Sequence, residues 1–344
     1  MRTIKPTKIG SKKSNFNGKL TAPEMGKLWA TYMGNSMSNC ILNYFLQHVE
    51  DQDIKKLVEH AKRLTEEFQS SVKEIFIKEN IPIPHGFTED DVNLGAPRLF
   101  ADEFYVHYLK YAAKAGLSIY SIAIPLMYRE DVRNFLTYCM NSTMELVEEI
   151  KKILMDKSLI IEPPIIPAPE QVRIADADYL SGFVGDVRPL HALEIAHLYD
   201  NIENNVTSKA LIMGFSQVAK SEKIRDIFIK GKDITNKAVE RYIEKLHYES
   251  LPAPGFIDYL VTTSTFAPFS DKLMLFHKVD MFSMKIRAFG NSLAVNGRHD
   301  LALLYGKSLM NIANFVKDAS NILIENEWME IPPEAVDREN LASK

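Results

Sequence analysis

The sequence predicts an all-α protein made of two tandem four-helix bundles, each with one long crossover between its second and third helices. Three observations carry that prediction. The chain repeats itself, its apolar residues recur at helical spacing, and each copy has one connection far longer than its others.

The repeat comes first, because every later assignment depends on it. Sliding the chain by 170 positions lays residues 20–84 on 190–254 without a gap. Leu20, Ala22, Glu24 and Leu28 meet Leu190, Ala192, Glu194 and Leu198, and Pro82 and Pro84 meet Pro252 and Pro254. After a small adjustment, Asp102 falls on Asp271, Arg129 on Arg298, and Pro163-Pro164 on Pro332-Pro333. The expected organisation is a basic arm at 1–19, a first bundle at 20–164, a linker at 165–189 and a second bundle at 190–344.

The helices follow from apolar spacing. Leu198, Ile202, Val206 and Ile212 keep one face of the fifth, and Ile224, Ile227, Phe228, Ile234, Ala238 and Leu246 do so on the sixth. Helices are expected near 22–48, 52–79, 102–127 and 130–157, and near 191–218, 222–249, 271–295 and 299–326. Thr21 and Glu24 have capping-box spacing around a proline that the first turn tolerates. Asp102 and Asp271 stand where a carboxylate can cap the opening of each third helix. Pro125 should kink the third helix near its end.

Connection length sets the topology. Helices one and two, and three and four, are joined by a few residues, so each pair forms an antiparallel hairpin. About 20 residues separate the second helix from the third, and extended they reach roughly 60 Å. A helix of 27 residues spans about 40 Å, so the link can return along the whole bundle. One such crossover marks the ferritin-like arrangement.

Composition narrows the rest. Apolar residues make up 46% and charged residues 25% of the 344, which suits a packed core. A net charge of −4 gives no basic footprint for nucleic acid. The opening residues lack the apolar stretch of a secretory signal. The most apolar run, Ala115 to Met127, is too short to span a bilayer. Cys40 and Cys139 read as buried free thiols in a reducing cytoplasm.

Leu20-Thr-Ala-Pro-Glu24, Gly214-Phe-Ser-Gln-Val-Ala-Lys220, Ser270-Asp-Lys-Leu-Met274 and Trp328-Met-Glu-Ile-Pro-Pro333 resemble the duplicated members of the DUF3231 family of Bacillus relatives. The resemblance covers residues about 20–341. It implies a ferritin-like fold, a distant similarity to spore coat protein F and an association with spores. It implies no activity and carries over no catalytic residue.

Ferritin-like bundles often hold two iron or manganese ions with four glutamates and two histidines, two of the glutamates in Glu-x-x-His pairs. The first copy has no Glu-x-x-His, whereas the second has Glu194-Ile-Ala-His197 and Glu244-Lys-Leu-His247, both near one end. These four are the candidate metal ligands. Against them stand their place at the bundle tip and a bland alternative, in which glutamates cap helices and Arg129 and Arg298 pair with nearby carboxylates. Asn35, Asn205, Ser38 and Ser208 share mid-helix positions and read as buried polar groups, or as the wall of a small pocket. His107 and His277 read as aromatic packing, and Met274, Met281 and Met284 as core.

The expected role is therefore non-enzymatic, without a cofactor, acting through protein partners in the cytoplasm, with self-association left open. The alternatives are an iron or manganese oxidoreductase or store in the second bundle, and a small apolar-ligand binder with a cavity beside Asn35 or Asn205.

Overall fold

The computed structural model describes residues 18–176, 178–183 and 187–339. Among these are eight α-helices, three short 3-10 turns and no strand. The first copy carries α1 (Ala22–His48), α2 (Gln52–Lys78), α3 (Asp102–Ala123) and α4 (Glu130–Asp156). The second carries α5 (Ala192–Val218), α6 (Glu222–Tyr248), α7 (Asp271–Val295) and α8 (His299–Glu325). The basic arm, apart from its last two residues, lies outside the described residues.

The third helix is shorter than expected. It ends at Ala123 and tightens into a 3-10 turn at Ile124–Leu126. Pro125 has no amide to continue the ladder, so it terminates the helix instead of kinking it.

Carboxylates in the first turns of α1, α3, α5 and α7 tie those helices to neighbouring turns. The Thr21–Glu24 capping box forms as the spacing predicts. The other oxygen of Glu24 accepts from the Tyr128 and Arg129 amides at 2.9 and 2.8 Å, so α1 and α4 begin at the same end. Asp102 and Asp271 correct the sequence reading. Neither caps its own helix: Ala101 precedes α3 with no side-chain cap, and Ser270 caps α7. Asp102 instead accepts from the Glu50 and Asp51 amides at 3.0 and 2.7 Å, and Asp271 from those of Lys220 and Ser221 at 3.0 and 2.8 Å. Each closes the turn of the neighbouring hairpin, where unpaired amides favour a negative charge. The third helix therefore starts beside the start of the second, and the long connection brings the chain back to that end.

The far ends share another device. Asn80, Ser158, Ser250 and Glu327 take the left-handed conformation, with φ of 56°, 53°, 58° and 59°. The next residue bonds back across the last turn, as in Ile81 N to Phe76 O at 2.9 Å and Trp328 N to Leu323 O at 2.8 Å. This is the Schellman ending, built here without glycine.

The odd-numbered helices face the junction between copies. On α5, Asn204 through Ser208 are buried in an unbroken run. A helix with one wet face cannot bury five successive residues. Lys110 and Lys114 of α3 pair with Glu203 and Asp200 of α5 across the junction.

The two crossovers pair with each other rather than merely tracking their own helices. Val92 bridges Phe269, and Phe100 bridges Val261. The repeat that sets Asp102 on Asp271 also sets Val92 on Val261 and Phe100 on Phe269, so the two bridges interchange when the copies are swapped. Tyr108 and His277 are likewise counterparts, and they share a 2.8 Å hydrogen bond. The copies thus meet as the halves of a symmetric dimer do, with the same patch used twice.

Candidate functional site

The four residues singled out as metal ligands do not meet. Glu194 is fully committed as a structural anchor: Arg188 donates to both its oxygens at 2.9 and 2.8 Å, and the His191 and Gly297 amides at 3.1 and 3.0 Å. Burial pushes its carboxyl up, but Arg188 and the amides override this and hold it below the usual value. His197 is half-buried beside a small cleft, while Glu244 and His247 are exposed. Among the described residues no group of three or more His, Cys, Asp or Glu is placed to hold a metal. The arginines do what the bland alternative requires. Arg129 pairs with Glu79 and Asp131, and Arg298 with Asp300 and Glu249.

The unusual chemistry lies deeper, inside the second copy. Lys278 and Lys285 of α7 are 0% and 1% exposed, and neither joins an ion pair among the described residues. Lys278 Nζ donates to Ser208 Oγ at 2.7 Å and to the Ser208 carbonyl at 3.2 Å. Lys285 Nζ lies 3.4 Å from Thr235 Oγ1. The two amines stand 4.9 and 4.3 Å from the centre of the Phe282 ring. Burial drives both well below the ordinary lysine value of 10.5, with Lys278 adding to the effect on Lys285.

Farther along the same interior, Asn201 donates to Ser292 Oγ at 2.8 Å, and Tyr242 to Ser308 Oγ at 2.7 Å. Asn205 donates to the Asn201 carbonyl, yet its own side-chain oxygen and the Tyr305 hydroxyl have no partner. Such orphaned groups are uncommon in a folded core. The first copy lacks this set of polar side chains, although Asn39 Oδ1 and His48 Nε2 are orphaned there too. Leu109, Gly116, Ala123, Leu136, Val72 and Cys139 occupy the positions of Lys278, Lys285, Ser292, Tyr305, Tyr242 and Ser308. Lysine on a helix ordinarily reads as surface, so sequence reasoning missed this core. The alignment of the copies held the signal, because it sets Lys278 on Leu109.

A second feature lies at the junction. A partly enclosed cavity of about 120 Å³ opens beside Asn35, between α1, α3 and α7. Tyr108, Tyr111, Tyr120, His277 and Asp280 contribute to its wall. His277 is buried with its Nδ1 unpartnered, and burial pushes the imidazole down to about 3.

What these interiors offer is amines, hydroxyls and amides, with one carboxylate, Asp280, and one imidazole, His277, at the cavity. A pair of hard metal ions needs bridging carboxylates and imidazoles, and that donor set is not assembled among the described residues.

No curated protein matches the chain. A solved structure of a candidate spore coat protein from Bacillus halodurans C-125 is similar at 20% identity and a TM-score of 0.40, over 44% of this chain and 97% of that one. The family model described as Protein of unknown function (DUF3231) matches residues 10–172 and again residues 180–341. The chain belongs to that family, as a member carrying two repeats.

Proposed function

We propose that the protein is a non-enzymatic pair of ferritin-like bundles, a fixed two-fold unit whose outer surfaces contact other proteins in a spore-linked setting. The carrying observation is the interior. The second copy buries Lys278 and Lys285 in its interior, and the first has Leu109 and Gly116 at the matching positions. Buried amines repel cations or stay neutral, and neither state suits a site for two hard metal ions. The buried carboxylates Glu24, Asp91, Asp102, Glu194 and Asp300 are engaged in hydrogen bonds or ion pairs at the ends of helices and turns. The spore-linked setting comes from the family resemblance alone.

Elemental analysis after loading with ferrous iron or manganese and desalting tests this reading. The expected result is well below one metal per chain. One or two per chain, lost in His197→Ala His247→Ala, would overturn it and restore the metal alternative.

A second reading, small-ligand binding, has its own observation in the cavity beside Asn35. No helix among the described residues is long and apolar enough to cross a membrane.

A further inference from the structure

The junction cavity contains a carboxylate that the protein leaves unanswered. Asp280 of α7 is half-buried in its wall. Among the described residues it accepts no hydrogen bond and joins no ion pair. The donors nearest to it in the fold are spent elsewhere. Tyr111 Oη donates to the Met281 carbonyl at 2.7 Å, and Tyr108 Oη is paired with His277 Nε2. Arg287, two turns along the same helix, directs its guanidinium to Met284 Sδ. Burial therefore raises the Asp280 carboxyl, and the charge of Arg287 opposes this only in part.

The related face sets Asp280 apart. The pseudo-two-fold relation carries the α3–α5 contact onto the α7–α1 contact. On the first face Lys110 and Lys114 answer Glu203 and Asp200. On the second, Val279 and Ser283 replace the lysines, and Met33 and Ala30 replace the carboxylates. The second face has no counterpart of either charged pair. Asp280 stands where the first face has Tyr111, and no lysine or arginine pairs with it among the described residues.

A half-buried carboxylate without a protein donor is left for a proton, water or a cation to meet. The cavity gives a cation room. At about 120 Å³ it approaches the 150 Å³ or so that holds a benzene-sized guest. Tyr108, Tyr111 and Tyr120 line the same cavity as this single carboxylate, and a carboxylate beside aromatic rings favours an ammonium group. The geometry points to a binding site for a small alkylammonium ion, with Asp280 as its counter-ion and the three tyrosines as its wall. This inference rests on the small-ligand reading and names the ligand class.

Calorimetric titration of the whole chain at low ionic strength tests it, using choline, tetramethylammonium and the neutral choline isostere 3,3-dimethylbutanol. The expected result is saturable binding of one or both cations, at least tenfold weaker in Asp280→Asn, with the neutral isostere at least tenfold weaker than choline. Ala115→Phe fills the cavity without touching the charge and should also abolish binding, with its folding checked by circular dichroism. Equal binding of choline by Asp280→Asn, or undiminished binding by Ala115→Phe, would overturn the site. Binding of the neutral isostere alone would refute the cation and keep the small-ligand reading. No binding of any of the three would refute both.

Discussion

The two copies are built on one plan and filled with different chemistry. Helix lengths, capping carboxylates and left-handed endings correspond almost position for position. Their interiors do not. At the place where the first copy buries Leu109 beside α1, the second buries the Lys278 amine against Ser208. The difference teaches that the frame is held at the helix ends, leaving the middle free to change. Glu24 and Asp102, with Glu194 and Asp271, tie the turns of one hairpin to the starts of the other, and none of them depends on what fills the core.

Transplanting the chemistry is the harshest way to break this comparison. Leu109→Lys would place an amine in a first copy whose core is apolar, and should destabilise the protein by about 3 kcal/mol or more in denaturant unfolding. A loss below about 1 kcal/mol would mean that the first interior is already wet. The reverse exchange, Lys278→Met with Lys285→Met, should stabilise the fold by about 1–4 kcal/mol, as apolar replacements of buried ionisable groups often do. Destabilisation there would show the amines to be structural.

The pH dependence of stability sharpens the same point. Both lysines are depressed in the folded chain and return to about 10.5 on unfolding. Between the folded value and 10.5 the unfolded chain binds more protons, so their contribution to stability rises with pH across that window. The slope is at most about 1.4 kcal/mol per pH unit for each lysine. The difference between wild type and the double methionine variant, followed from pH 7 to 10, should therefore shrink as pH rises.

The junction offers a third, smaller contrast. Tyr44 packs its ring 5.1 Å from Phe269 and takes the Leu99 amide on its hydroxyl at 2.9 Å. Its counterpart is Gly214, where a β-carbon would come within 2.7 Å of the Phe100 ring. Gly214→Ala should therefore cost about 1–3 kcal/mol through overpacking, visible as a lowered thermal midpoint. The smallest effect belongs to the helix endings. Ser158→Gly or Glu327→Gly relieves a left-handed side chain and should stabilise by up to about 1 kcal/mol.

Much of the frame was legible before any coordinates. Periodicity and proline placed the helices, because a buried stripe must recur every three or four residues and proline ends it. The spacing of Thr21 and Glu24 announced a capping box that forms. The partners of Asp102 and Asp271 were not legible, because a carboxylate at a helix start looks the same whether it caps its own helix or a neighbour's. The pairing of Val92 with Phe269 was hidden for a similar reason: no local pattern says that two crossovers will meet. Glu194 and His197 drew attention through a spacing that metal sites use, while the structure spends Glu194 on Arg188. Lys278 was the reverse case, an ordinary surface residue by type that only its three-dimensional surroundings make unusual.

The enclosed amine core of the second copy, Lys278 and Lys285, is what most sets it apart from the first. It is tested most directly by NMR titration of the lysine side chains, with Lys278 and Lys285 assigned through single Lys→Met variants. Two amines titrating well below the surface lysines, in the metal-free protein, would be the predicted result. If both instead titrate with the surface lysines near 10.5, the amines are solvated and charged, and the account of this interior is wrong.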